Sequence, residues 1–493
     1  MKVYLIGAGP GDPELITVKA VRVIGACDTV VYDDLIADEI LLLAKPGAEK
    51  IYVGKRAGKD YMRQPEINQL LLDLARQGRS IARIKGGDPC VFGRGGEEAL
   101  FLSRNGIPCE IIPGISSAIA GPISAGIPPT HRGLAASLKI VTAHEDPTKD
   151  DGFLDWSLLA RENGTIVFLM GATRLGAIAE RLISEGMDAN TPCAFIQNAT
   201  VPTQRHVLTT LAQAGQAASE QAIVSPCVMV VGKVCDLSAE ILHVPDLPLK
   251  GQSILITRPS HLAFQAAAFF SSQGARTNVY PLIAIQDLPF ELPNINLYDI
   301  IIFTSQNAVP LFMDKLFSAG QDARALAGKL VYCIGPKTRD ALARYGIIPD
   351  AMAAEFRAEG IMDMLADKDL EGKRVCLPRA QGARPYLVQA LTEKGAQVDE
   401  ILVYATVMPE GADTQSFTAM LAKVDTVIFT SPSGARNAHT LLGGDLELLK
   451  DKRLVAIGPV TGGAMAKLGM TAHLTAQEYT DQGIMEILQR SKA

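Results

Sequence analysis

The chain has 493 residues, 48% of them apolar and 20% charged, with 47 Lys and Arg against 53 Asp and Glu for a net charge of −6. That length exceeds one ordinary core, so at least two units and four lobes are expected of a globular protein. The negative balance gives no general attraction to nucleic acid or membrane, and 5% aromatic content argues against stacking platforms for single strands.

The eight cysteines contain no Cys-x-x-Cys pair, which argues against a disulfide framework or a zinc ribbon, and no metal site is expected. Apolar runs stay short of membrane-spanning length, and the first residues enter a strand without a signal peptide, so a cytoplasmic protein is expected.

Strand-like runs alternate with helical patterns from end to end. This predicts the α/β class with largely parallel sheets. In the first half the runs lie at 3–6, 29–32, 81–84, 109–112, 139–142, 165–169, 193–197 and 227–232, with helical patterns such as 64–77 and 173–185 between them. The first strand is followed by Gly7-Ala-Gly-Pro-Gly-Asp12. The third is followed by Lys85-Gly-Gly-Asp-Pro-Cys-Val-Phe-Gly-Arg-Gly-Gly-Glu-Glu98, with five glycines, one proline and five charges in fourteen residues. Such composition cannot pack a core, but it lets backbone approach a ligand. Two such loops after two strands imply one cleft at the strand carboxyl ends.

A dinucleotide is a poor ligand for these loops, because Pro10 removes an amide donor and Asp12 puts negative charge where phosphate would sit. A cationic ligand of nucleotide type suits them better. S-adenosylmethionine, with its sulfonium, amine and ribose hydroxyls, favours carboxylates and carbonyls. Asp88 is a candidate acceptor for such groups, or with Pro89 it forms a turn. Glu97-Glu98 reads as a helix start favoured by the macrodipole. Asp33, at the end of strand 29–32, and Lys55 are candidates for proton handling, with a helix cap and a solvated pair as the competing readings. Arg56, Arg83, Lys85, Arg94 and Arg132 are candidates to hold an acidic substrate.

His243-Val-Pro-Asp-Leu-Pro-Leu-Lys250 has two prolines and no period, and reads as a linker. The second half is internally duplicated. Gly251–Pro259 resembles Gly372–Arg379, 274–280 resembles 395–404, 301–308 resembles 427–434, and 333–338 resembles 456–461. Offsets of about 120 to 130 residues suit a duplicated α/β lobe. This half has no nucleophile–base pair, metal cluster or phosphate loop. Its strand ends carry Thr304-Ser305, Thr430-Ser431, Ser433, Thr338 and Thr461, with Arg258, Lys337, Arg379, Arg384 and Arg436 nearby in sequence. That pattern reads either as an anion-binding cleft or as a set of helix caps.

Several dispersed motifs in order, namely Gly7–Asp12, Tyr32-Asp-Asp-Leu35, Gly86–Pro89 with Phe92–Glu98, Pro113–Ser116 and Gly126-Ile-Pro-Pro-Thr-His-Arg132, resemble the tetrapyrrole methyltransferases. Among these, the uroporphyrinogen-III C-methyltransferases fit best, over 1–245. The resemblance implies two lobes, about 1–113 and 114–245, with S-adenosyl-L-methionine between them in a homodimer formed through this half. It implies cofactor contacts from Pro10, Gly86, Gly87, Asp88, Val91, Ser116, Ser117, Met170 and Ala199, with Asp33 and Lys55 as proton acceptor and donor. Gln197–Thr200 with Thr203–Arg205 is similar to the family's late cofactor-side loop.

After a linker at 246–250, Leu255–Pro259, Phe303–Ala308, Val403–Thr406, Phe429–Gly434 and Ile457–Thr461 resemble the uroporphyrinogen-III synthases over 251–493. The implied lobes are 251–283 with 406–493, and 285–404. Tyr404 would assist hydroxyl departure from hydroxymethylbilane, and Ser305, Ser433 and Thr461 would bind carboxylates. Tyr404 as a half-buried strand residue is the other reading. Arg132 and Arg258 are further substrate-binding candidates. Together the resemblances imply consecutive steps, from hydroxymethylbilane through uroporphyrinogen III to precorrin-2, on the route to sirohaem or cobalamin. A methyltransferase for a later corrin intermediate, joined to a non-catalytic tetrapyrrole-binding module, is the rival.

Overall fold

The protein is described by a computed structural model covering residues 2–45, 47–54, 62–143, 153–242 and 247–491. It forms two compact units, Met1–Tyr280 with Thr414–Ala493, and Pro281–Asp413.

The chain opens with β1 (Lys2–Gly7), β2 (Thr29–Tyr32), β3 (Glu49–Tyr52), β4 (Ser80–Lys85) and β5 (Cys109–Ile112). They form one parallel sheet in the order β3-β2-β4-β1-β5. The central strands β1, β2 and β4 are mostly buried, as their apolar runs require of strands covered on both faces. Because β1 and β4 are neighbours, the two glycine-rich loops that follow them emerge side by side.

The next sheet contains β6 (Leu138–Thr142), β7 (Thr165–Leu169), β8 (Pro192–Gln197), β9 (Arg205–Thr210) and β10 (Cys227–Val231), in the order β6-β7-β10-β8-β9. Here the sequence expectation of a largely parallel sheet fails. Only β6 and β7 run parallel, and the β7–β10, β10–β8 and β8–β9 pairs are antiparallel. The seven residues between β8 and β9 are too few for the crossover that a parallel pair needs.

The second half continues with β11 (Ser253–Ile256) and β12 (Arg276–Val279). The second unit then holds β13 (Ala284–Asp287), β14 (Ile300–Phe303), β15 (Leu330–Cys333), β16 (Ala351–Met352), β17 (Arg374–Ala380) and β18 (Gln397–Val407). The chain returns to the first unit for β19 (Thr426–Phe429), β20 (Arg453–Ala456) and β21 (Leu474–Thr475). The internal repeat resolves into two parallel sheets of the same design, β12-β11-β19-β20-β21 and β18-β17-β14-β15-β16. Each repeated segment lies on the corresponding strand, but the second unit is traversed in permuted order, with its β14–β16 arm first. An antiparallel β13 caps that sheet, pairing Ile285 with Thr406.

Candidate active site

The glycine loops after β1 and β4 are bonded directly to each other. Gly9 N donates to Gly87 O at 3.2 Å, and Gly87 N donates to Gly9 O at 2.7 Å. Gly114, just past β5, completes a three-way backbone contact. A Cβ at Gly114 would stand 2.3 Å from Gly87 O, and one at Gly7 would stand 2.5 Å from Gly114 N. No side chain fits there, so glycine is required for packing at Gly7 and Gly114. Asp88 ties the same loops together, its carboxylate accepting from Cys90 N at 2.8 Å and Gly114 N at 3.1 Å. The turn reading of Asp88 is therefore realised, with lone pairs left over on the carboxylate.

These loops border a cavity of about 1760 Å³. Pro10, Gly86, Gly87, Asp88, Val91, Ser116, Ser117, Met170 and Ala199 all line it. Ser116 caps the helix Ser117–Ser124, its Oγ accepting from Ala118 N at 3.2 Å. From the second sheet come Met170, after β7, and Asn198, Ala199, Thr200 and Gln204, after β8. This side is bonded to the first loop, since Asp12 N donates to Thr200 Oγ1 at 3.0 Å. Gln204 then bridges Thr200 N to Ser124 O.

Phe92, Met170, Asn198 and Thr200 take left-handed backbone conformations, and all four line the cavity. Only two other non-glycine residues among those described, Arg94 and Ala222, do so. Backbone strain is thus concentrated at this site, as at ligand-binding clefts generally. Sequence reasoning missed this feature, because no residue type announces it.

Asp33 does not line the cavity, although its neighbours Asp34 and Leu35 do. Its carboxylate, 26% exposed, meets Arg83 Nη2 at 3.2 Å. Arg83 begins a buried chain of charge. Its Nε lies 3.5 Å from Glu98 Oε1, which also takes Lys85 Nζ at 2.9 Å and Gln64 Nε2 at 2.9 Å. Glu98 is fully buried, and the Arg83 and Lys85 side chains are only 3% and 7% exposed. Burial pushes the Lys85 ammonium below its usual range, with Glu98 acting in the opposite direction. Glu98 is therefore much more than a helix start, and Arg83 and Lys85 are not open to an acidic substrate. Arg94 is exposed and paired with Glu97. Arg132 is exposed on the turn bridged by His131 and Ala135. Lys55 and Arg56 lie outside the described residues.

In the second unit Tyr404, buried on β18, donates from its hydroxyl to Ser305 Oγ at 2.9 Å. Ser305 also accepts from Asn307 N at 3.1 Å, so it caps the following turn. Thr338 is 3% exposed at the start of the helix Pro336–Ala343. Thr461, in the first unit, is 3% exposed at the start of Pro459–Lys467. Neither hydroxyl has a hydrogen-bond partner among the described residues. Ser433 Oγ accepts from Arg436 Nη2 at 3.0 Å. Arg258, Arg379 and Arg384 are already paired with Asp481, Glu400 and Glu359. Of the expected hydroxyls, Ser305 and Ser433 are thus engaged and Thr338 and Thr461 are not, while most of the expected cations are neutralised.

All eight cysteines are free, and six of them are buried. Among the described residues no cluster of His, Cys, Asp and Glu could hold a metal, and no helix is long and apolar enough to cross a membrane.

A model of the tetrapyrrole (corrin/porphyrin) methylases matches residues 2–215, and one of uroporphyrinogen-III synthase HemD matches residues 265–486. The porphyrin biosynthesis protein HemD of Ruminiclostridium josui is 34% identical over 99% of this chain and 97% of its own length. The uroporphyrinogen-III C-methyltransferase of Methanocaldococcus jannaschii is 48% identical over 48% of this chain and 97% of its own. A solved uroporphyrin-III C-methyl transferase from Thermus thermophilus, complexed with S-adenyl homocysteine, is 41% identical, with a TM-score of 0.42 over 48% of this chain and 100% of that one. The chain thus belongs to the tetrapyrrole methylases through its first half and to the uroporphyrinogen-III synthases through its second, joined in one polypeptide of tetrapyrrole biosynthesis.

Proposed function

We propose that the second half cyclises hydroxymethylbilane to uroporphyrinogen III, and that the first half methylates this product at carbons 2 and 7 with S-adenosyl-L-methionine to give precorrin-2. The observation that carries the reading is the character of the cavity. Gly11, Gly86, Gly87 and Gly93 line it, and the first half adds Asp12, Glu14, Asp34, Asp38, Glu39 and Asp88 but, among the described residues, no Lys or Arg. Such a wall fits a sulfonium and an amine and disfavours a pyrophosphate. Bound there, the cofactor supplies an electrophilic methyl group.

The protein's own work is to orient and to exclude water, which suits a transfer that needs no protein nucleophile. Pro10, Gly86, Gly87, Asp88, Val91, Ser116, Ser117, Met170 and Ala199 hold the cofactor. Asp33, anchored by Arg83, accepts the proton that the methylated macrocycle loses from a position other than the now quaternary ring carbon, and Lys55 serves as donor. In the second half Tyr404, with its hydroxyl oriented by Ser305, assists loss of hydroxide from the bilane. Ser433 and Thr461 take carboxylates. We place the junction between the halves at 246–250, and assign a homodimer to the first half.

The test is an anaerobic incubation of the full chain with hydroxymethylbilane, with and without S-adenosylmethionine, followed by mass spectrometry of the oxidised products. Type III uroporphyrin without cofactor and two added methyl groups with it are expected. If only the spontaneous type I product forms, the synthase reading is wrong. If type III forms but gains no methyl group, the first-half assignment is wrong.

A further inference from the structure

The cavity beside the glycine loops is not closed by the first half alone. Its far side is made by the lobe that opens the second half, from the helix Ser260–Ser272, the turn into β12, and the helix Thr414–Leu421 with the residues just beyond it. This wall is fixed in place. Thr277 Oγ1 donates to Glu39 Oε1 at 2.8 Å, and Glu39 is buried. Leu42 of the same 3-10 turn, Asp38–Leu43, packs on the core formed by Ile254, Ile256 and Phe270.

The two walls carry opposite charge. Six acidic residues, the buried Glu39 among them, line the cavity from the first half, whereas the second half contributes Arg276 and Lys423 and no carboxylate, and Lys250 ends the junction between the halves. Every Lys or Arg lining the cavity among the described residues therefore comes from the junction or the second half, and none from the first half. Arg276 and Lys423 are exposed, and neither side chain is engaged in an ion pair or hydrogen bond among the described residues.

A cationic methyl donor fits the acidic wall, but a porphyrinogen bearing eight carboxylates does not. We infer that Arg276 and Lys423 bind carboxylates of the tetrapyrrole that is methylated, so that the second half supplies part of the acceptor site of the first. The inference rests on the proposed methyl transfer to uroporphyrinogen III. It assigns these residues a positioning role on the acceptor, separate from cyclisation.

The test compares the full chain with Arg276→Glu/Lys423→Glu, using pre-formed uroporphyrinogen III and S-adenosylmethionine under anaerobic conditions. The charge reversal should raise KM for the porphyrinogen at least about tenfold, with kcat within about twofold. Binding of S-adenosylhomocysteine, measured by calorimetry, should stay unchanged. In the wild type KM should also climb with added salt, and less so in the variant. Arg276→Gln/Lys423→Gln should fall between the two, and Arg276→Lys should restore most of the loss. An unchanged KM and salt dependence in the reversed variant would overturn the inference while leaving methyl transfer intact. A wild type that transfers no methyl group would instead overturn the functional reading on which it rests.

Discussion

In the first half, four titratable side chains, Asp33, Arg83, Glu98 and Lys85, stand in one connected chain, and the last three are almost wholly out of water. At the helix starts of the second half, the buried polar groups are instead the uncharged hydroxyls of Thr338 and Thr461. Charges that are buried and mutually paired are costly to separate, so they fix geometry. Hydroxyls without partners leave capacity for something else to bind, at a smaller cost in stability. The first region is thus arranged as a rigid support, whereas in each of the two units of the second half a single helix start keeps one buried hydroxyl unpaired among the described residues.

Breaking the support should give the largest effect. Glu98→Ala leaves Arg83 and Lys85 buried without their shared counter-charge, and a loss of about 3–5 kcal/mol is expected in urea denaturation. A loss below about 1 kcal/mol would mean that the network is solvated and structurally idle.

A smaller effect sharpens the other side of the comparison. Ser431 accepts from Gly434 N at 3.1 Å as a helix cap, so Ser431→Ala should lower stability by about 1 kcal/mol. Thr461→Val keeps the shape and removes only an unpartnered hydroxyl. It should leave thermal stability unchanged while raising KM for hydroxymethylbilane. Equal destabilisation by both substitutions would show that Thr461 is structural.

The smallest effect concerns Glu39, where burial pushes the carboxyl pKa up. The folded state then holds its proton more tightly than the unfolded chain does. Its contribution is fully present below the unfolded pKa of about 4.3 and is lost as pH rises through the folded value. Glu39→Gln should remove that part of the pH dependence, so the stability of the wild type should fall relative to the variant as pH rises from 4 towards neutrality. Parallel melting curves of the two proteins across this range would refute it.

The sequence alone determined the α/β class, the two glycine loops and the duplication. Each rests on local composition or on a pattern repeated along the chain, such as the apolar runs of β1 and β4 or the Ile-Gly-Pro turns after β15 and β20. Weakly patterned edges escaped it. Glu49–Tyr52 and Arg205–Thr210 alternate too little and expose too much to read as strands. The antiparallel run of the second sheet was also hidden, because strand direction depends on how short a connection is.

Tertiary structure decided the rest. Arg83 is beside Asp33 because β4 pairs with β2, placing Val31 opposite Arg83, and no spacing rule relates residues fifty positions apart. The acidic and basic walls of the cavity are joined over more than two hundred residues, through Glu39 and Thr277. Long-range electrostatics depends on distance in space, which only packing sets.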